Sequence, residues 1–244
     1  MSRRTADGKL WWKIDFHIHT AEDPLDSIEH SASDLLCRAH ELAFDAIAIT
    51  LHQQVLYRPE LFELARSLGI LLLPAIEFRI SKADVVAVHI TPDEAGPIRT
   101  FADLRAFKAK RGRDLLTFIP HPFYVLGGSI GDRAHAEMDC FDAVEYCHFH
   151  TLGLNPNRRA VALAQRYAKP LLATSDSHRL DRFGGHYSWV QVPENATPSD
   201  LFDAIRQDRI ERVSPPWPLP KMIAYLAHIF LRERIQEALQ KCQE

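Results

Sequence analysis

Short apolar runs alternate with longer amphipathic segments along this chain, and polar residues able to carry chemistry collect where the runs end. Residues 10–16 predict a strand that leads directly into His17-Ile-His-Thr20. A helix is expected over 33–43, with Ser33 or Asp34 near its start and Leu35, Leu36, Ala39 and Leu42 as its buried stripe. Residues 45–50 then read as a strand ending just before His52. A second helix over 59–67 precedes a strand at 70–74, which runs into Ala75-Ile-Glu77. The strand expected at 85–88 ends at His89. A helix around 103–110 leads to a strand at 115–119 and then to Pro120-His121-Pro122.

The second half keeps this rhythm. Residues 141–146 predict a strand leading to Cys147 and His148, and Asn155-Pro156 resembles the start of a helix running toward Tyr167. A strand at 171–173 opens onto Thr174-Ser-Asp-Ser-His178, and a later strand is expected at 187–192. Thr197-Pro-Ser-Asp200 has the pattern of a helix start with a carboxylate at the third helical position. A last short strand is expected at 210–213. The proline-rich stretch 214–220 breaks regular structure before a partly apolar helix at about 222–240.

Strands separated by helix-length connections favour parallel pairing, in an α/β fold that is either a barrel or an open sheet. The spread of candidate ligands over many strand ends favours the barrel, since an open sheet concentrates them at one switch point. The 244 residues are expected to form one domain spanning 1–244. Composition adds little beyond that. Lys+Arg 29 against Asp+Glu 32 gives a net charge of -3, so no broad basic face for nucleic acid is evident. The four cysteines form no Cys-x-x-Cys pair. No apolar stretch suits a signal segment or a membrane span, so a cytoplasmic protein without membrane contact is expected. The apolar positions of the last helix leave homo-oligomerisation open.

Histidine, with 13 copies, is the informative residue. His17 and His19 lie two apart, so extended backbone turns both rings to one face, where they can approach a common ion. Asp15 shares that parity and can orient a ring through its second nitrogen. Asp176 and His178 form a similar pair after another strand. Alone, Asp-Ser-His is more simply a capped turn. Its recurrence beside His17, His19, His52, Glu77, His89 and His121 points instead to a metal centre. Imidazoles mixed with carboxylates suit Zn, Fe or Mn better than magnesium.

The ordered segments Asp15-Phe-His-Ile-His-Thr20, Ala48-Ile-Thr-Leu-His52, Ala75-Ile-Glu77, the strand ending at His89, Ile119-Pro-His-Pro122 and Ser175-Asp-Ser-His178 resemble the polymerase-and-histidinol-phosphatase (PHP) family. That resemblance implies a distorted TIM-like barrel of seven βα units and a centre of two or three divalent transition-metal ions. By position it implies that His17 and His19 hold a first ion with Glu77 and Asp176, and that Glu77 also reaches a second ion held by His89 and His121. His52 and His178 match ligands of a third ion, which Asp23 or Asp26 would complete. Leu51 departs from the family, which commonly has Asp before the matching histidine. Glu145-Tyr-Cys-His148 resembles a further family signature, with His148 where Asn is frequent.

The expected function is hydrolysis of a small phosphomonoester by metal-activated water, with Asp176 and His178 as the catalytic pair. Arg79, Arg179 and His186 are candidates for phosphate contact, with Asp15 and His148 supporting the ligands or meeting the substrate. Cleavage of nucleotides or nucleic acid is the alternative enzymatic reading. A metal-stabilised regulatory or interaction domain is the non-enzymatic one.

Overall fold

The computed structural model describes residues 3–4, 8–124, 127–225 and 227. Its strands are β1 (Arg3–Arg4), β2 (Leu10–Asp15), β3 (Ala46–Ile49), β4 (Leu71–Ile80), β5 (Ala83–Val88), β6 (Leu116–Ile119), β7 (Ala143–Tyr146), β8 (Leu171–Ala173), β9 (Tyr187–Val192) and β10 (Ile210–Val213). The helices are α1 (Ala32–Glu41), α2 (Pro59–Ser67), α3 (Pro92–Ala95), α4 (Phe101–Arg111), α5 (Ala134–Glu137), α6 (Asn157–Arg166) and α7 (Pro198–Arg206). Residues 219–225 are also helical. Most of the helix expected at 222–240 lies outside the described residues.

One mixed sheet runs in the order β10-β9-β2-β3-β4-β5-β6-β7-β8, with β1 paired to β2. Its free side nearly closes on itself. The Ser188 hydroxyl of β9 accepts from Ala173 N–H at 3.0 Å and donates to the Ala173 carbonyl at 2.9 Å, bridging β8 to β9. The result is the distorted barrel the sequence implies. β3 shows how the wall is built: Ala46 and Ala48 face the interior cluster, while Ile47 and Ile49 face the cluster under α1 and α2. Small residues inside and branched ones outside leave room for the bulkier Phe16, Phe118 and Phe202 in the interior.

Two features depart from a simple repeat of parallel units. β9 runs antiparallel to both β2 and β10. More consequentially, β4 and β5 form an antiparallel hairpin, and β5 is antiparallel to β6 as well. Only Ser81 and Lys82 separate β4 from β5, both with positive φ (50° and 67°), as a tight hairpin turn requires. A parallel crossover needs a dozen or more residues, and this connection has no room for one. The strand expected at 70–74 therefore continues to Ile80, and Glu77 lies within it opposite Val86.

Caps explain the helix starts. Thr197 accepts from Asp200 N–H at 3.3 Å and Asp200 returns the bond to Thr197 N–H at 3.0 Å, as the sequence pattern indicates. α1 starts one residue earlier than expected, capped by Ser31 rather than Ser33. Ser31 is the position that puts a carboxylate, Asp34, three residues on, so both partners are satisfied reciprocally. α7 supplies Leu201, Phe202 and Ile205 to the barrel interior, and its Arg206 donates to the carbonyls of Arg113 and Leu115 just before β6. That closes the end of the barrel from which the parallel strands start. The opposite end is left for the site.

Candidate metal centre

His17 and His19 follow β2 in still-extended backbone, fixed by His19 N–H to Ser177 O at 3.0 Å and Thr50 N–H to Ile18 O at 2.8 Å. Ile18 packs outward, so both imidazoles turn inward with centroids 5.3 Å apart. Each ring is held by its Nδ1. His17 Nδ1 lies 3.1 Å from Glu145 Oε1, and His19 Nδ1 lies 3.1 Å from Asp23 Oδ2. Both Nε2 atoms are therefore aimed at the centre.

Glu77 occupies that centre. Its Oε1 is 3.2 Å from His121 Nε2 and 3.5 Å from His17 Nε2. Its Oε2 is 3.2 Å from His52 Nε2 and 3.4 Å from His19 Nε2. Asp176 Oδ1 completes the ring, 3.4 Å from His17 Nε2 and 3.5 Å from His19 Nε2. His178 stacks on His19 with centroids 4.3 Å apart, and its Nε2 is 3.1 Å from Asp26 Oδ2. Among the described residues, four sets of potential donor atoms at this centre gather within 4.8 Å: His17, His19 and Glu77; His17, His121 and Asp176; Glu77, Asp84 and His121; and His19, His52 and His178.

This donor set fits a cluster of divalent ions. His17 Nε2 and His19 Nε2 are buried without a hydrogen-bond partner, a costly state that ion coordination would relieve. The electrostatics agree. Burial opposes charge on His17, yet the carboxylates of Asp176, Glu77 and Glu145 outweigh it and raise its pKa well above the ordinary value. Burial likewise opposes the His121 imidazolium, but Glu77 and Asp176 take its pKa up to about 9. Burial would raise the carboxyl pKa of Glu77; the surrounding histidines, His17 first, hold it well below the usual range. The clustered carboxylates thus create a field that favours bound positive charge.

The remaining sequence candidates separate clearly. His89 is not part of this centre. β5 runs back down the barrel, so its C-terminal end lies at the far side, where His89 Nδ1 sits 2.8 Å from Asp114 O and the ring packs 6.1 Å from Phe202. The reversal instead brings Asp84, near the start of β5, to the site: its Oδ2 is 3.9 Å from His121 Nε2. Arg79 pairs with Asp84 from the opposite hairpin strand, its Nη2 3.2 Å from Oδ2. The early loop also divides. Asp23 accepts from the N–H groups of Leu25, Asp26 and His52 and holds the Nδ1 atoms of His19 and His52, so its oxygens are committed to orienting ligands. Asp26 is the acid that reaches His178.

Asp15 does not orient an imidazole. Its Oδ1 accepts from the backbone N–H groups of His17 at 3.3 Å and Ser175 at 3.1 Å, tying the end of β2 to the end of β8, and burial pushes its pKa up to about 7. The ring-orienting acid for His17 is Glu145, which also accepts from Thr174 Oγ1 and His121 N–H. His148 lines the adjoining cavity with a buried, unpartnered Nδ1, and burial lowers its pKa to about 4. His186 is fully engaged: Nε2 accepts from Trp217 Nε1 at 3.1 Å, and Nδ1 lies 2.9 Å from Ser214 Oγ. Such a ring has no nitrogen left for substrate. Arg179 is exposed and forks onto Asp181 at 2.9 and 3.1 Å.

Sequence reasoning missed Asp84 and the role of Glu145. The two-residue gap between β4 and β5 was the available signal for Asp84. Nothing in the sequence pairs Glu145 with His17.

Comparison with known proteins agrees with this architecture. Residues 155–210 match the family model described as PHP-associated (PHP_C). No curated protein matches the chain by sequence. Among solved structures, a two-domain protein from Bacteroides vulgatus containing a predicted PHP-like metal-dependent phosphoesterase aligns with TM-score 0.65 at 20% identity, over 87% of this chain and 69% of that one. PsfC from Pseudomonas syringae aligns with TM-score 0.59 at 17% identity, covering 91% and 98% of the two chains. A lesion-specific endonuclease from Pyrococcus furiosus gives 0.60 at 14% identity, over 83% of this chain and 57% of that one. At these identities the likeness is one of fold. Among the described residues, no helix is long and apolar enough to cross a membrane.

Proposed function

We propose that this chain, whose residues 155–210 match a PHP-associated model and whose fold is similar to a PHP-like protein, is a metal-dependent phosphoesterase acting on a small phosphomonoester. One observation carries the reading: the buried, unpartnered Nε2 atoms of His17 and His19 face the shared carboxylates of Glu77 and Asp176. Those four residues would hold a first ion, Glu77, Asp84 and His121 a second, and His52, His178 and Asp26 a third. Bound Zn, Fe or Mn would supply positive charge against phosphoryl oxygens and lower the pKa of a water to near neutrality.

The protein's own groups do the rest. Glu145 and Asp23 lock the His17, His19 and His52 rings through Nδ1, so their Nε2 atoms stay aimed at the centre. Asp176, part of the cavity wall, would accept a hydrogen bond from the water that attacks phosphorus. That attack forms the new P–O bond and breaks the bond to the leaving alcohol, which takes up the proton. His178, at the cavity edge between Asp26 and Asp176, would steer that proton.

The endonuclease fold relative raises cleavage of nucleic acid as a second reading. A cavity beside the candidate metal ligands and a net charge of -3 favour the small substrate. The test is metal analysis of protein purified without chelator, followed by a panel of phosphomonoesters, phosphodiesters and oligonucleotides. At least two Zn, Fe or Mn ions per chain and monoester turnover are expected. A metal-replete protein inactive on the whole panel would leave a metal-stabilised regulatory domain as the better reading. Turnover of oligonucleotides alone would favour the nuclease.

A further inference from the structure

A cavity of about 290 Å³ adjoins the centre, at the lower end of the range for small-molecule sites. Asp176 and His178 belong to its wall, and so do Arg182, Trp217, Lys221 and Tyr225. None of these last four belongs to the metal-ligand groups.

The cations here differ in what they are committed to. Arg179 is held by Asp181, and Arg38 by Glu41 at 2.8 Å. Arg182 and Lys221 have no carboxylate partner of that kind among the described residues. The Arg182 guanidinium carbon instead lies 4.9 Å from the Trp217 ring centroid and 5.7 Å from that of Tyr225. Lys221 Nζ lies 5.1 Å from the Trp217 centroid. Arg182 Nη1 is buried and lacks a hydrogen-bond partner. A buried guanidinium donor without an acceptor is unfavourable, and a ligand oxygen would satisfy it.

The aromatic residues in this corner form a rigid support. Trp217 is 8% exposed; its N–H donates to His186 Nε2 at 3.1 Å, and its backbone N–H donates to His150 O at 2.7 Å. Phe149 and Tyr225 pack on it with centroids 5.7 and 5.3 Å away. A ring enclosed in this way has no open face for a nucleobase. It holds two cations over a cavity wall, in advance of any ligand.

We propose that Arg182 and Lys221 form an anion subsite for a second negatively charged group, a phosphate or a carboxylate, carried by the same small molecule whose phosphoester meets the metal-ligand cluster. This rests on the phosphoesterase reading and narrows it to compact di-anionic substrates.

Calorimetric titration of the metal-replete full chain with non-hydrolysable probes tests the subsite without turnover. Propane-1,3-bisphosphonate is expected to bind about tenfold or more tightly than propylphosphonate. That preference should collapse in both Arg182→Gln and Lys221→Gln. 3-Phosphonopropanoate separates the sources: matching the bisphosphonate would assign a carboxylate, and trailing it would assign a phosphate. Lys221 is exposed, so Lys221→Gln serves if Arg182→Gln does not fold. Equal affinities for the bisphosphonate and propylphosphonate in the unaltered protein would overturn the subsite, even alongside vigorous monoester hydrolysis. A retained preference without hydrolysis of any phosphate ester would support the subsite and sink the phosphoesterase reading instead.

Discussion

Glu145 Oε1 lies 3.1 Å from His17 Nδ1, an acid and an imidazole separated by 128 positions in the chain. The contact sets which nitrogen of His17 is free, because a proton on Nδ1 shared with the carboxylate leaves Nε2 as the electron-pair donor. Replacing Glu145 by Gln keeps the shape but removes the charge, and can present an N–H toward His121 N–H or the Thr174 hydroxyl. Metal affinity should fall about 10–100-fold, as for other partners of metal-bound histidines. Competition with a fluorescent chelator measures it. Unchanged affinity would deny Glu145 its orienting role.

The hairpin separates two residues that lie close in sequence. Asp84→Asn should lower metal content by about one ion per chain, since it removes a carboxylate beside Glu77 and His121. His89→Ala should leave metal content intact and cost about 1 kcal/mol of stability through the lost bond to Asp114 O. Elemental analysis and urea unfolding of both variants check the pair. The reverse pattern would mean that β5 does not run antiparallel to β4.

Gly128 guards Asp84 from the loop side. It has φ +70°, and a Cβ there would come within 1.6 Å of Asp84 Oδ2. Its carbonyl also accepts from Asp84 N–H at 2.7 Å. Gly128→Ala should therefore displace Asp84 and cost about 1–3 kcal/mol through crowding and backbone strain. Metal content should drop together with the melting temperature. A variant with native stability and full metal loading would contradict this packing.

Acid sensitivity should have a source far from the metal centre. Burial raises the pKa of Asp142, but Lys108 at 2.8 Å and Arg206 at 3.2 Å more than offset it, so the net shift is downward. A carboxyl with a depressed folded pKa contributes stability that is fully present above its unfolded pKa of about 3.9 and is lost as pH falls through the lower, folded value. Asp142→Asn should cost about 2 kcal/mol at pH 7, since Lys108 loses its carboxylate and Arg206 keeps only Asp203 as an acidic partner. Its stability should then fall less steeply than the parent's below about pH 4. Urea titrations from pH 7 down to about pH 3 reveal both effects, and parallel acid limbs would assign the sensitivity elsewhere.

Local pattern alone placed much of the site. Two-residue spacing put His17 and His19 on one face, and apolar runs located the strands that present His52, His121 and Asp176. Reciprocal caps marked α7, because such bonds span only three residues. Direction and partnership needed the tertiary structure. Whether the chain after Ile80 turns back or crosses over decides that Asp84, and not His89, stands beside Glu77. The pairing of Glu145 with His17, and of Arg182 with Trp217, depends on which strands and loops become neighbours once the barrel curls nearly shut. Periodicity reports which face a residue takes on its own element. Closure of the sheet around a common core decides which distant elements face one another, and that information is spread over the whole chain.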